Sequence, residues 1–255
     1  MKNTLLFLLV LFSANLFAQE ELEEVKVKTT QKGLKKSLKG TANTTLVTSK
    51  ELLKAACCNL AESFETNPSI DVNFSDALTG TKQIKMLGLT SPYIMITEEN
   101  VPSVRGASQA FGLSFTPGTW VDNIQITKGA GSVVNGYESI SGQINTELLK
   151  PMNDIPFFLN AYGSTDSRFE LNTHFNKKIN DKWATSLFVH GNARVSKNDM
   201  NDDGFLDNPL GKQINIANRW QYTNAETGWV SFFNFRFMKD EKQTGELDFD
   251  KDKHK

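Results

Sequence analysis

Residues 120–145, WVDNIQITKGAGSVVNGYESISGQIN, carry the pattern on which the fold of this chain turns. Asn123, Ile124, Gln125, Ile126 and Thr127 alternate polar and apolar side chains, the period of a half-buried strand. Lys128-Gly129-Ala130-Gly131-Ser132 follows, with glycines that tolerate the positive φ of a turn. Gly136, Gly142 and the alternating Gln143-Ile144-Asn145 repeat the cycle. On spacing alone the stretch is strand, turn, strand, a glycine-rich β-meander that many globular domains hold. The segments on either side narrow the choice.

Upstream, the chain opens as a targeting segment. Lys2 supplies a positive n-region, Thr4 to Phe12 a short apolar h-region, and Ser13 to Ala18 a stretch ending in a small residue before Gln19-Glu20. Cleavage after Ala18 is expected, with Leu16 larger than the preferred small residue. A membrane anchor is the other reading, but the apolar run is short for a helical span and acidic residues follow it. After it, no run of about twenty uninterrupted apolar residues remains. Membrane association of the mature chain must therefore use strands.

Residues 19–43 are polar and strongly charged, and Glu23 to Thr29 forms a short alternating run suited to pairing with another protein's sheet edge. A helix is predicted from Thr48 or Ser49 to about Phe64. Thr48 and Glu51 make a capping box, Leu52, Leu53, Ala56, Leu60 and Phe64 recur at helical spacing, and Asn67-Pro68 stops it. Cys57 and Cys58 lie within this helix. Adjacent cysteines bridge each other poorly, so they are either buried helix residues or soft-metal ligands, with Met86 and Met95 as further ligands if the fold brings them near. Ile70–Phe74, Gln83–Leu87 and Tyr93–Thr97 read as short strands, and Phe111–Trp120 as loop.

Beyond Pro156 the pattern changes to long alternating strands. Phe169, Leu171, Thr173 and Phe175 oppose Arg168, Glu170, Asn172 and His174. Trp183, Thr185, Leu187 and Val189 oppose Ala184, Ser186, His190 and Asn192, with Phe188 out of pattern. Ile214, Ile216, Trp220 and Tyr222 oppose Asn215, Ala217, Arg219 and Gln221, and Trp229, Phe233, Phe235 and Phe237 oppose Asn234 and Arg236. A soluble sandwich shows the same alternation. Two details favour a membrane barrel: Trp183, Trp220, Tyr222 and Trp229 fall at one end of successive antiparallel strands, and the turns at that end are short while the connection from Ser196 to Gln213 is long.

That long connection holds Asp199, Asn201, Asp203, Gly204 and Asp207, the first half of a D-x-N-x-D-G calcium loop, with Leu210 where a bidentate Glu is usual. A bare Asx-rich turn is the simpler reading. The 28 Lys and Arg against 29 Asp and Glu give no reason to expect nucleic acid as a partner. Eighteen Phe beside seven Pro suit strands with an apolar outer face. His174, His190 and His254 make no metalloprotease set, and no G-x-S-x-G or P-loop is present, so no enzyme is expected.

With these parts in order, the chain resembles the N-terminal portion of a TonB-dependent outer-membrane receptor. Glu24-Val25-Lys26-Val27-Lys28-Thr29 stands where that family keeps its TonB box. Leu60 to Pro68 is similar to the helix before its "nPsv" turn, Ile84 to Gly88 to its "irGl" strand, and Tyr93 to Pro102 to "v-l-iDGvp". Ile124 to Gly129, Val134 to Gly136 and Ile140 to Asn145 resemble "IeViKGp…lyGs.aigGvIN". Departures are Met86-Leu87 for the usual arginine and Glu98-Glu99-Asn100 for Asp-Gly.

The fold that the resemblance implies is an α+β plug domain (44–150) followed by the first antiparallel strands of an incomplete transmembrane β-barrel (151–255), preceded by a signal peptide (1–18) and a flexible segment (19–43). The family's barrel has about 22 strands, so the chain is expected to be a fragment or truncated product. The implied function is energy-coupled import of a metal, metal chelate or similar nutrient across the outer membrane, driven by a TonB-type partner. No cofactor is required, and calcium is expected at most in the outer loop. The alternative is a non-transporting surface binder or adhesin with a calcium-stabilised loop.

Overall fold

The computed structural model describes residues 35–36, 43–52, 59–64, 67, 70–76, 80–131 and 138–249. The leader, Glu24 to Thr29 and Cys57-Cys58 lie outside the described residues.

The quoted stretch forms the middle of a six-stranded sheet. Its first strand, β8 (Val121–Lys128), buries Val121, Ile124 and Ile126 and leaves the residues between them partly covered, as its alternation predicts. The strand that follows, β9 (Gly142–Leu148), runs antiparallel to it with Ile126 opposite Ile144. On the other side of β8 lies β2 (Asn43–Thr48), antiparallel, with Val47 opposite Ile124. A two-residue β1 (Lys35–Lys36) extends that edge.

The other edge comes from β6 (Ile94–Glu98), paired parallel to β9 with Ile96 opposite Ile144, and from β7 (Val101–Pro102), its hairpin partner. A parallel pair needs a long crossover. Residues 103–120 and β8 provide it. The stretch expected to be loop, 111–120, winds into two short 3₁₀ turns, Gly112–Ser114 and Gly118–Trp120, which bury Leu113 and Trp120.

A second, three-stranded sheet of β3 (Asp71–Asp76), β4 (Thr81–Met86) and β5 (Leu89–Thr90) packs on the first. Ile84 and Met86 from it join Val47, Leu52, Phe64, Ile94, Ile96, Ile124 and Ile144 in one core cluster. Of the predicted helix, Ser49–Leu52 is helical (α1) and Glu62–Phe64 is a 3₁₀ turn, while the residues between Leu52 and Asn59 are not described. The apolar spacing read from Leu52, Leu60 and Phe64 holds, since all three are core residues.

Five strands follow in simple up-and-down order: β10 (Phe157–Gly163), β11 (Arg168–Lys178), β12 (Trp183–Arg194), β13 (Leu210–Asn224) and β14 (Trp229–Gln243), each antiparallel to the next. Their polarity is inverted relative to a water-soluble sheet. Phe169, Phe235 and Phe237 are 58%, 70% and 61% exposed, while His190 and Asn215 are fully covered and Arg219 is 1% exposed. A soluble sandwich buries the opposite face, so this sheet has the outside of a membrane barrel and the inside of a filled lumen.

The aromatic girdle is real in register. Trp183 stands opposite Tyr222 with ring centroids 4.9 Å apart, Trp220 is one row inward, and Trp229 lies opposite Asn224 at the same edge. From Ile214 to Tyr222 the outward face of β13, apolar apart from Asn218, runs on the order of 26 Å at about 3.3 Å per residue. A tilt of roughly 40° brings this to ~20 Å, near the ~25 Å expected of a lipid-facing band.

Phe188, out of pattern in the sequence, has a physical reason to face inward. Its ring lies 5.5 Å from Trp120 and 5.4 Å from His174, and with Ala217 and Leu148 it forms a small apolar cluster between the sheet and the N-terminal domain. It is an anchor point in an otherwise polar contact.

Candidate functional site

The polar face of the five-stranded sheet is covered by the N-terminal domain, and the contact centres on one hairpin. The connection between β6 and β7 is Glu99-Asn100, both at positive φ (53° and 65°), the geometry of a two-residue primed turn. β9 holds that turn in place. The Asn145 side-chain oxygen accepts the Thr97 hydroxyl and the Asn100 amide, both at 2.8 Å, and the Glu99 amide donates to the Thr146 carbonyl at 2.9 Å. The two carboxylates that the sequence places at this tip are thereby aimed at the sheet.

Arg219 of β13 donates both terminal nitrogens to Glu99, one at 3.0 Å to Oε2 and the other, closer still, to Oε1. This is the bidentate fork that a guanidinium makes best. Its plane lies over the Phe232 ring, 4.5 Å from the centroid. Arg236 of β14 serves the neighbouring carboxylate at longer range. Its NH1 is 3.8 Å from Glu98, its Nε donates to Asn215 at 3.0 Å, its NH2 to the Phe115 carbonyl, and it sits 5.2 Å over Trp120. Thr116 donates to Glu98 at 3.1 Å, so the 3₁₀ turns and the hairpin tip are joined to the same arginine.

Further along the interface, Arg168 of β11 donates to Glu62 at 3.1 Å. Asn215 and Gln213 donate to the Phe115 and Ser114 carbonyls at 2.6 and 3.3 Å. Within the sheet a buried polar chain links Glu170, Asn172, His190, Asn192 and Gln213. Such a chain holds its side chains in fixed directions, because an unpaired member would be costly in this covered setting.

At the aromatic edge, where the domain hands over to β10, Asp154 lies 2.9 Å from His174 Nε2 and accepts from Asn176 at 2.7 Å. His174 in turn stacks on Phe158 at 4.9 Å. Burial pushes the Asp154 carboxyl up, but hydrogen bonds from His174, Asn176 and the Ile155 amide outweigh it and hold the group below the usual carboxylate range.

Of the site residues expected from sequence, those that the structure describes fall elsewhere. Met86 belongs to the main core, where its methyl fills the space that a Cβ on Gly142 would need. Met95, equally buried, alternates with Ile94 and Ile96 of that core and so points from the other face of β6. The fold does not bring the two methionines together. In the loop between β12 and β13, Asp199 accepts the Asp203 and Gly204 amides at 3.2 and 2.9 Å, Asp203 the Phe205 amide at 2.9 Å, and Asp207 the Met200 amide at 2.8 Å. Asn201 donates to Asp203. These side chains cap the loop's own backbone, and among the described residues no three His, Cys, Asp or Glu side chains gather as a metal would require.

The residues that do assemble a site, Glu62, Glu98, Glu99, Arg168, Arg219 and Arg236, were not singled out by motif. One signal was available. The Glu98-Glu99-Asn100 turn departs from the resembled family's Asp-Gly, and Arg168, Arg219 and Arg236 all sit on the strand faces opposite the apolar sets.

The class this architecture defines is a membrane-barrel wall with a separate domain seated on its lumen side. Residues 36–143 match the family model described as the TonB-dependent Receptor Plug Domain. The N-terminal domain is a TonB-dependent receptor plug, and the strands after it are part of the barrel wall.

Solved structures similar to the chain include the pyoverdine outer membrane receptor FpvA from Pseudomonas aeruginosa bound to pyoverdine, at 14% identity and a TM-score of 0.64, covering 79% of this chain and 28% of that one. The siderophore receptor PirA from Acinetobacter baumannii gives 17% identity and a TM-score of 0.59, covering 78% and 32%. The copper transporter OprC gives 13% and 0.63, covering 79% and 32%. The chain thus spans about a quarter to a third of the length of the solved chains it matches. No curated protein matches it by sequence.

Proposed function

We propose that the chain is the plug and first wall strands of an outer-membrane importer that takes up a metal, metal chelate or similar nutrient. One observation carries this reading: a sheet with its aromatic face outward and its charged face covered by a plug is a closed passage, which opens only if the plug moves. Ligand bound on the outer side shifts the plug, and Glu24 to Thr29 becomes available on the inner side for strand pairing with a TonB-type protein that pulls on it. The outer membrane is the setting, reached through cleavage of the leader after Ala18. No catalytic step is part of this role.

The range of cargo is supported by the solved structures above, described as a siderophore receptor, a pyoverdine receptor and a copper transporter. A soft-metal set of Cys57, Cys58, Met86 and Met95 gains nothing from the placement of the two methionines. Calcium in the loop of Asp199, Asn201, Asp203 and Asp207 is a separate proposal, tested by calorimetry: heat at millimolar Ca²⁺ that the Asp199→Ala variant loses supports it, and no heat removes it.

Deleting residues 23–29 from the full-length gene product tests the main reading. An importer keeps ligand binding at the cell surface and loses uptake of iron chelates or copper. A surface binder keeps its whole activity, and that result would overturn importer function.

A further inference from the structure

Three ion pairs that join the plug to the wall run the same way. Glu62, Glu98 and Glu99 belong to the plug, and their partners Arg168, Arg236 and Arg219 belong to β11, β14 and β13. The contact is spread along the wall rather than gathered at one point. Arg168 is at the loop end of its strand, Arg219 lies towards the aromatic edge, and Arg236 lies between them.

The same inward face also carries Arg194, paired with Asp166 at 2.7 Å, and Lys242, against the wall's own carboxylates Glu170 and Asp240. Glu170 lies 3.7 Å from Arg168 and Asp240 4.0 Å from Lys242. The wall's carboxylates therefore offset part of its charge, and Glu62, Glu98 and Glu99 of the plug face Arg168, Arg236 and Arg219.

The consequence follows from the balance of charge along the wall. A plug that moves takes Glu62, Glu98 and Glu99 with it. The arginines stay, because their backbone is in the wall ladder and their charge cannot be released by deprotonation. A guanidinium whose carboxylate has moved away presents an uncompensated charge and its fixed donors to the passage, and the nearest compensation is an oxyanion on whatever enters.

We propose that the passage opened by plug movement is anion-selective along this part of the wall, and that oxyanion groups of a negatively charged cargo take over the arginines vacated by Glu62, Glu98 and Glu99. The cargo class is an anionic, oxygen-rich solute or chelate, whether its charge comes from carboxylate or phosphate. Arg219 is the main subsite, since its bidentate fork on Glu99 accepts any planar pair of oxygens, and Arg236 and Arg168 continue the path on either side of it. This rests on the importer reading above.

The test uses the full-length receptor in planar bilayers under a KCl gradient, with the plug loosened by urea. The expected reversal potential has the sign of chloride preference. Exchanging the pair, Arg219→Glu with Glu99→Arg, keeps a plug-to-wall ion pair but reverses the charge left on the wall, and it shifts the reversal potential towards potassium. The neutral pair Arg219→Gln with Glu99→Gln gives an intermediate shift and serves if the exchanged pair does not fold. Inorganic phosphate and citrate added on the outer side reduce the chloride current in the wild type and do so less in either double variant.

Openings that prefer potassium, or a selectivity that neither double variant moves, would overturn the anion path while leaving an importer intact. A protein that forms no conducting state at all would sink the importer reading itself, and the anion path with it.

Discussion

Replacing Arg219 with methionine keeps a long side chain against Phe232 but leaves Glu99 facing the wall without its partner. Removing one member of a buried ion pair costs about 3–5 kcal/mol. Arg219 is 1% exposed, but Glu99 keeps 25% of its side chain in contact with solvent and recovers some hydration, which puts the cost near the lower end, ~3 kcal/mol. Loss of the guanidinium over Phe232 adds about 0.5–1 kcal/mol. The cost falls on the hairpin tip, whose Glu99 and Asn100 amides are tied to Thr146 and Asn145. At about 1.4 kcal/mol per factor of ten, the summed cost of about 3.5–4 kcal/mol raises exchange of these two amides by several hundredfold.

Hydrogen–deuterium exchange of the full-length receptor, followed by mass spectrometry over 97–102, reads this directly. Glu99→Gln, which keeps the shape and one acceptor, gives a smaller rise, and the double change Arg219→Met with Glu99→Leu costs less than the two single losses added together. If Arg219→Met leaves exchange over 97–102 unchanged, the hairpin is held by β9 alone and the argument for a plug fastened through Arg219 is refuted.

Other consequences are open to measurement. Phe188→Ala empties the contact with Trp120 and His174 and is expected to destabilise plug seating by about 3–5 kcal/mol, read as a lower urea midpoint for plug release with the wall's own unfolding unmoved. Gly142→Ala would place its Cβ 2.5 Å from the Met86 methyl and 2.8 Å from the Thr127 carbonyl. Methionine can move but backbone cannot, so a loss of about 1–3 kcal/mol or more is expected and Met86→Ala does not restore it. Asp154 has a depressed folded-state pKa, so its contribution is present above the ordinary carboxylate value and is lost as pH falls through the folded value. Acid unfolding of Asp154→Asn is therefore shallower in that range, and an unchanged profile would contradict this. Phe235→Arg puts a charge on the lipid face and is expected to cost about 2–4 kcal/mol near mid-membrane, with assembly into bilayers as the readout.

The sequence made some features of this molecule plain and hid others for physical reasons. Strands announce themselves by a period of two, and in β11 to β13 the inward and outward sets read from alternation are the covered and exposed sets observed. Phe188 broke the pattern because its partner, Trp120, is far away in the chain, and periodicity carries no information about what a face meets. The parallel pairing of β6 with β9 was equally invisible, since register between distant strands depends on the whole core. The ion pairs are hidden for the same reason: Glu99 and Arg219 are 120 positions apart, and nothing local to either names the other. Cys57, Cys58, Met86 and Met95 are conspicuous by their chemistry, which carries no information about placement, and of the four only the methionines are described. The two methionines pack into different surroundings on either side of β6.

The pairing of the plug sheet also sets an order of assembly. Thr44 and Thr127, whose hydroxyls meet at 3.0 Å across β2 and β8, are 83 positions apart, whereas each wall strand pairs with its immediate neighbour in the chain. Closing the longer loop costs more entropy before any contact repays it, so the wall's hairpins zip first and the plug sheet closes late. In that interval Arg219, Asn215 and His190 face water, which suits them. The face at risk is the one bearing Phe169, Phe235 and Phe237, which no plug will ever cover. A nascent chain of this design therefore needs a chaperone or a membrane for its aromatic side well before it needs its own N-terminal domain.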